Sequence, residues 1–208
     1  PSTISGSTDW DILTINNSAG VTVSSGTQNI YNKINIKSGA LTTNGNVVLK
    51  SNASGTAFLD DIETGSISGS LTVERFLGLT TQGWRDLTSP VQGTSLADWQ
   101  NDGVVFSGFP NSDFPGFIYN GAVWSNAYTY DESVVGASNL GWTVPSDITD
   151  PTGPDNGFRI YMNNTNFTLS VTGVPYTGDK DINLSLTGAS GNENGWNLVG
   201  NPYPSTIR

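Results

Sequence analysis

The chain of 208 residues carries 8 basic and 18 acidic side chains, a net charge of −10, and contains neither cysteine nor histidine. This composition excludes disulfides, thiolate-ligated metal sites and a Ser-His-Asp triad, and the negative charge disfavours nucleic acid and anionic membranes as partners. Only 12% of the residues are charged, and Gly, Ser, Thr and Asn take their place, which is typical of β-strands and tight turns. The chain begins at Pro1 and its only methionine is Met162, so we expect a processed product or an excerpt of a larger protein.

Residues 1–75 consist of short apolar runs separated by turn dipeptides such as Asn44-Gly45. The runs of one series are 21–23, 47–49 and 71–73, and those of a second, offset series are 12–15, 34–36 and 57–59. Two interleaved series with a similar long period favour a short parallel β-helix, or solenoid, over an antiparallel sandwich with hairpins at the same turns. The residues predicted to point inward are Ile12, Val21, Val23, Ile34, Ile36, Val47, Leu49, Phe58, Leu71 and Val73.

Residues 76–208 differ in composition from residues 1–75, because aromatic residues are much more frequent there. Strands are predicted at 116–120, 127–131, 158–163, 167–173, 181–188 and 196–200. Residues 167–173 alternate apolar and polar side chains, as a strand with one buried face does. This part is therefore predicted to be a jelly-roll-like antiparallel β-sandwich, in which only residues 95–101 could form a helical turn. The stretch 195–204, GWNLVGNPYP, is predicted to end the last strand of the sandwich and turn the chain away from it, with Trp196, Leu198 and Tyr203 in the core.

Five segments in order, from SGALTTNGNVVLKSNASGTAFL through GSISGSLTVERFL, GWRDLTSPVQGTSLADW and GFRIYM to GWNLVGNPYPSTI, resemble a known kind of module. Such modules occur in large secreted surface proteins of the Bacteroidetes, exported through the type IX secretion pathway, beside adhesin-like or enzymatic regions. The resemblance implies an extracellular or cell-surface location and brings no catalytic residues with it. The sequence departs from the pattern at its end, where Arg208 follows Ile207 in place of an acidic residue and Trp.

Exposed aromatic rings are one candidate binding feature. Phe114, Tyr119 and Trp124 lie in or near a Pro/Gly-rich stretch, and Trp142 follows in the next segment. Such rings can stack on the apolar faces of sugars, which would make a carbohydrate-binding surface. The alternative is core packing, because a cysteine-free domain needs its aromatic side chains inside.

Acidic residues are the second candidate. Asp147, Asp150 and Asp155 lie in a Pro-rich loop whose oxygen atoms could hold calcium, although Asp-Pro and Asp-Asn-Gly are also ordinary turn sequences. Asp60 and Asp61 are a weak candidate for acid–base chemistry, since neighbours in a strand point to opposite faces. We therefore expect no enzyme activity and no cofactor other than calcium.

Taken with the resemblance, these features predict a non-catalytic structural or adhesin-type module that acts as a stalk or filament assembly unit. A solenoid has open ends that must be covered by a neighbouring domain or by another copy of the chain. Units that join head to tail without closing form a filament. The alternative function is that of a carbohydrate-binding module.

Overall fold

The computed structural model describes residues 1–78, 80–188 and 193–205, and this part of the chain is all-β. Its strands are β1 (Ser2–Ile4), β2 (Thr8–Asn16), β3 (Val21–Val23), β4 (Gln28–Thr42), β5 (Val47–Leu49), β6 (Ser51–Asn52), β7 (Gly55–Thr56), β8 (Phe58–Ser68), β9 (Leu71–Leu77), β10 (Gly83–Leu87), β11 (Phe117–Tyr119), β12 (Ala122–Trp124), β13 (Ala127–Tyr130), β14 (Trp142–Thr143), β15 (Phe158–Met162) and β16 (Phe167–Gly173). One α-helix, α1 (Leu96–Asn101), and a 3₁₀ helix, Ser138–Gly141, complete the described elements.

The N-terminal strands wind through about three turns of a solenoid, and strands of successive turns pair in parallel. The stacked strands form three faces. The first face contains residues 2–4, 21–23, 41–42 and 67–68, and the second contains residues 8–10, 28–30, 47–49 and 72–73. The third face contains residues 12–16, 33–38 and 58–64. Parallel stacking places the apolar residues of one turn over those of the next. Ile34, for example, pairs with Leu13 on one side and Leu59 on the other, and all three are buried.

The predicted solenoid is confirmed, and so is most of its predicted repeat. The second series stacks as predicted, and Val47–Leu49 lies beside the start of β9. The placement of Val21–Val23 in the first series is wrong, because these residues pair with Ser2–Ile4 and with Leu41 and Thr42 on another face. Each turn has three strand segments, so runs of similar composition fall on different faces.

Two of the ten predicted inward residues are wrong. Ile12 is 43% exposed and Phe58 is only partly buried, whereas their neighbours Leu13 and Leu59 are each 6% exposed and belong to the core. Register shifts interrupt the pairing between Trp10 and Ile12 in β2, and again between Ile34 and Ile36 in β4. An irregularity of one residue exchanges the faces to which all later side chains of a strand point, and the first register shift lies directly before Ile12. Phe58 pairs with Lys33 ahead of the second irregularity, which therefore does not explain its exposure.

The described strands after residue 78 all pair in antiparallel fashion. β10, β15, β13 and β14 make a four-stranded sheet in that order, and β11 and β12 make a hairpin. β16 returns to the solenoid and pairs with β9 over seven positions, from Phe167 beside Leu77 to Gly173 beside Leu71. The last solenoid strand of the second face therefore has a partner on each side.

The core runs continuously from the solenoid interior into the second part. There the buried ring of Phe158 meets Trp99 of α1 edge-on at a centroid distance of 5.3 Å and Phe106 at 6.0 Å. The helical turn predicted at 95–101 is confirmed as α1, which a Ser95–Asp98 capping box begins. The strands predicted at 181–188 and 196–200 are wrong, since these described residues form no regular strand.

Candidate functional site

The outward face of the four-stranded sheet carries the largest set of aromatic side chains. Phe158 and Ile160 of β15 and Ala127 of β13 point into the core, and residues that alternate with them point the other way. Cross-strand pairing places on this outward face Trp84, Asp86, Tyr128, Tyr130, Trp142, Arg159 and Tyr161. We call these seven residues the aromatic face.

Ring contacts divide the aromatic face into two clusters. Trp84 meets Tyr128 at a centroid distance of 5.6 Å and Tyr161 at 5.3 Å, both edge-on. Tyr130 meets Trp142 at 5.1 Å in the same geometry. Such edge-to-face contacts stabilise the arrangement by about 1 kcal/mol each beyond area burial, so the rings are held in fixed orientations.

Arg159 lies between the clusters and is fixed on two sides. Its guanidinium carbon lies 4.0 Å from the centroid of the Trp142 ring. Its Nε and Nη2 atoms donate to the carboxylate of Asp86 at 2.7 and 2.9 Å. These hydrogen bonds raise the pKa of Arg159 above its ordinary value, so the side chain stays charged at every ordinary pH. No described residue accepts a hydrogen bond from the remaining nitrogen, Nη1.

A groove of about 420 Å³ opens at the Trp142 end of the aromatic face. Its lining includes the rings of Tyr130, Trp142 and Trp196, the side chains of Leu198 and Asn139, and the guanidinium of Arg159. We call it the Trp groove. Trp196 is 60% exposed, so its predicted place in the core is wrong. The segment that carries Trp196 forms no strand and is held on the surface by polar contacts.

Two carboxylates hold the segments around the Trp groove. Glu193 accepts hydrogen bonds from the backbone N–H and hydroxyl of Ser138, at 3.1 and 3.2 Å. Glu132 accepts from Ser185 and from the backbone N–H and hydroxyl of Thr187. These bonds lower the pKa of both carboxyl groups below the ordinary glutamate value. The loop structure around the groove therefore depends on ionised carboxylates.

This dependence predicts an acid-induced release of residues 185–187. Because the folded pKa of Glu132 is lowered, its contribution is complete above the unfolded pKa and is lost as pH falls through the folded pKa. We expect the Thr187 amide, corrected for intrinsic exchange, to lose its protection from hydrogen exchange in that acidic range. Glu132→Gln should weaken protection at neutral pH and remove the transition. An unchanged transition in Glu132→Gln would assign the release to another group.

The β11–β12 hairpin forms a second exposed aromatic feature. Its turn, Asn120-Gly121, has positive φ at both residues, 51° and 78°, which suits a two-residue hairpin turn. Pairing of Phe117 with Trp124 and of Tyr119 with Ala122 places the three rings on one face. Phe117 and Trp124 are nearly parallel at 6.4 Å, and Tyr119 stands at 79° to Trp124. All three rings are exposed, by 59%, 44% and 58% for Phe117, Trp124 and Tyr119.

The predicted aromatic site is therefore divided between two places. Tyr119 and Trp124 come together on the hairpin, and Phe114, 58% exposed, precedes it in the chain. Trp142 instead contacts Tyr130 and Arg159 on the sheet. The sequence reasoning did not include Arg159, Asp86 or Trp196 in the site. The sequence signal that could have indicated Arg159 is the alternation in residues 158–162, where Phe, Ile and Met alternate with Arg and Tyr.

The structure does not gather the predicted calcium ligands into one group. Asp147 accepts hydrogen bonds from Thr149 and Asn111, Asp150 accepts from Ser146, and Asp155 pairs with Lys180 at 3.2 Å. The hydrogen bonds, led by the Thr149 backbone N–H, lower the pKa of Asp147. Within the described ranges, no three acidic side chains lie close enough together to hold a metal ion.

Comparison with protein-family models, with curated proteins and with solved structures finds no match to this chain. No helix in the described part of the chain is long and apolar enough to cross a membrane.

Proposed function

We propose that this chain is a non-catalytic structural and adhesin-type module of a large extracellular or cell-surface protein, and that it serves as a stalk or assembly unit. The observation that carries the proposal is the unpaired edge of the first solenoid turn within the described residues. Within the described residues, β1 pairs only with β3, and β2 pairs only with β4. Each of these strands therefore keeps a row of backbone N–H and C=O groups for another chain segment.

The side chains along the open edge oppose unspecific aggregation and so favour pairing with a specific partner. Asp9 and Asp11 of β2 are exposed along it, and charged residues on an edge strand oppose unspecific aggregation. Ile12 beside them is an exposed apolar residue. A neighbouring domain or another copy of the chain could continue the stack there. Nucleic acid and anionic membranes are disfavoured by the net charge of −10.

The opposite end of the solenoid is partly covered by the rest of the chain. β16 covers the free side of β9, and the backbone N–H of Leu59 in β8 donates to the carbonyl of Pro204 at 3.0 Å. In this proposal residues 1–75 are the β-helix and residues 76–208 form a sandwich-like, jelly-roll-related cap. Among the described strands β8 pairs only with β4, so this end is covered along β9 and at Leu59 and not along the rest of β8. The two ends of the unit therefore differ, and head-to-tail addition requires such a difference.

The assembly function predicts concentration-dependent association through the open edge. Sedimentation velocity and electron microscopy should find end-to-end oligomers at high protein concentration. Ile12→Lys should shift the population to monomer, because a lysine on an edge strand opposes pairing. Val123→Lys is the surface-charge control once circular dichroism verifies its fold, because Val123 is a 59% exposed β-branched residue on the β11–β12 hairpin, which is a sheet separate from the solenoid. A wild-type protein that stays strictly monomeric would contradict self-assembly.

Carbohydrate binding is a second candidate function, supported by the exposed rings of Phe117, Tyr119 and Trp124 on one face of the hairpin. A glycan array that includes plant, algal and bacterial polysaccharides tests it, with Trp124→Ala as the variant of the hairpin. Binding that this variant loses would support the hairpin as the site. An array without any bound glycan would contradict the function.

A further inference from the structure

We infer that the Trp groove is a binding site for a neutral oligosaccharide. The inference rests on carbohydrate binding as the second candidate function, and it assigns that function to a place other than the hairpin. The residues that line the groove include three with aromatic rings, one arginine and two asparagines, Asn139 and Asn197. The Asn197 amide already donates to the carbonyls of Ser185 and Gly195. Its volume of about 420 Å³ lies in the range of small-molecule sites.

Trp196 is the most open platform of the groove. It is 60% exposed, whereas Trp142 is half-buried and has Arg159 stacked on its ring at 4.0 Å. A pyranose ring presents a face of C–H groups, and an open indole can bury that face against its own apolar surface. Trp142 and Tyr130 then form a rigid wall, since they hold each other edge-on at 5.1 Å.

The groove also carries polar groups that sugar hydroxyls would satisfy. Trp10 and Trp99 donate their indole N–H groups to protein acceptors at 3.0 Å, but no described residue accepts from Trp142 or Trp196. The Asn139 amide and Nη1 of Arg159 likewise have no hydrogen-bond partner within the described ranges. An apolar peptide side chain would cover these groups without replacing their bonds to water, which is costly. Hydroxyl groups both donate and accept, so they fit all four.

Charge selects a neutral ligand. Asp86 balances the charge of Arg159 through two hydrogen bonds, and the carboxylate of Glu193 is bound to Ser138 at the groove. The chain as a whole carries a charge of −10, so an anionic sugar is repelled. A cationic ligand would have to approach the guanidinium that already covers one face of Trp142.

The test uses a panel of neutral hexasaccharides from glucans, mannan and xylan, with oligogalacturonate as the acidic counterpart, measured by titration calorimetry. We expect at least one neutral hexasaccharide to bind, and Trp196→Ala to weaken that binding by about tenfold or more. Asn139→Ala should weaken it by about threefold, as the loss of one hydrogen bond does. Trp84→Ala is the matched control, because Trp84 lies on the same sheet face, outside the groove, and is 44% exposed.

The outcomes separate the site from the function. Loss of binding in Trp124→Ala with full binding in Trp196→Ala would overturn the Trp groove and leave carbohydrate binding by the hairpin. Tighter binding of oligogalacturonate than of every neutral sugar would overturn the neutral ligand. Absence of binding to the whole panel would overturn this inference. The glycan array would then decide separately whether the second candidate function stands, and assembly through the solenoid edge would be unaffected.

Discussion

Gly39→Ala should lower the free energy of unfolding by roughly 2–5 kcal/mol, the sum of a left-handed backbone penalty and an overpacking cost. Gly39 lies in β4 with φ of +75°, a conformation that residues with a Cβ atom rarely adopt. A Cβ added there would also lie 1.8 Å from the carbonyl oxygen of Asn17 in the preceding turn. That oxygen accepts the backbone N–H of Gly20 at 2.8 Å, so it cannot retreat without breaking its own turn.

Gly45→Ala is the matched control for this substitution. Gly45 has nearly the same φ, +76°, but an added Cβ would meet nothing within 4 Å. We expect it to cost about 1–2 kcal/mol, the backbone penalty alone. Chemical denaturation followed by circular dichroism measures both variants. The additional loss of unfolding free energy in Gly39→Ala, relative to Gly45→Ala, measures the cost of the close contact between the two turns. Equal losses in the two variants would contradict this close contact.

The sequence was sufficient to predict a solenoid because its apolar runs repeat. Parallel stacking requires each turn to place similar residues over the last, and the spacing of runs such as 34–36 and 57–59 records that requirement. Side-chain ladders follow the same stacking, as when Asn29 donates to Asp9, 20 residues earlier, and Lys33 to Asp60, 27 residues later. The spacing does not record which of three faces a run occupies, so Val21–Val23 was placed on the wrong one.

The second part was harder to predict because its turns and contacts are not periodic. Residues 181–188 alternate as a strand would, yet Leu184 and Leu186 are 68% and 59% exposed. Their segment is fixed by side-chain contacts, including those between Ser185 and both Glu132 and Asn197. Alternation alone cannot distinguish a strand from an extended segment whose backbone finds side-chain partners.

The candidate site is formed by residues that are far apart in the sequence, and composition could not predict that they meet. Asp86 and Arg159 are 73 residues apart and meet only because β10 pairs with β15. The pairing of β13 with β14 places Trp142 beside Tyr130, away from the hairpin rings with which the sequence had grouped it. Individual exposed aromatic residues were predictable from their Pro/Gly-rich surroundings. Their assembly into the Trp groove required the order of strands in the sheet.

The second large effect is expected for the solenoid interior, where Ile34→Ala should lower the free energy of unfolding by about 2–5 kcal/mol. Ile34 is 0% exposed and lies between Leu13 and Leu59 of the adjacent turns. Its truncation leaves a cavity in the middle turn, and close packing around rigid strands limits how far the walls can collapse. The loss should appear in chemical denaturation as a lower midpoint with an unchanged slope.

Ile12→Ala removes the same atoms from a residue that is 43% exposed in the first turn, and it should cost less than about 1 kcal/mol. The pair therefore tests the register of β2 directly, because the irregularity after Trp10 decides whether Ile12 or Leu13 faces the interior. A large loss for Ile12→Ala with a small loss for Leu13→Ala would reverse the assigned faces of that strand. The open edge proposed for assembly would then lose its exposed isoleucine, so the outcome also bears on how a neighbouring unit could dock there.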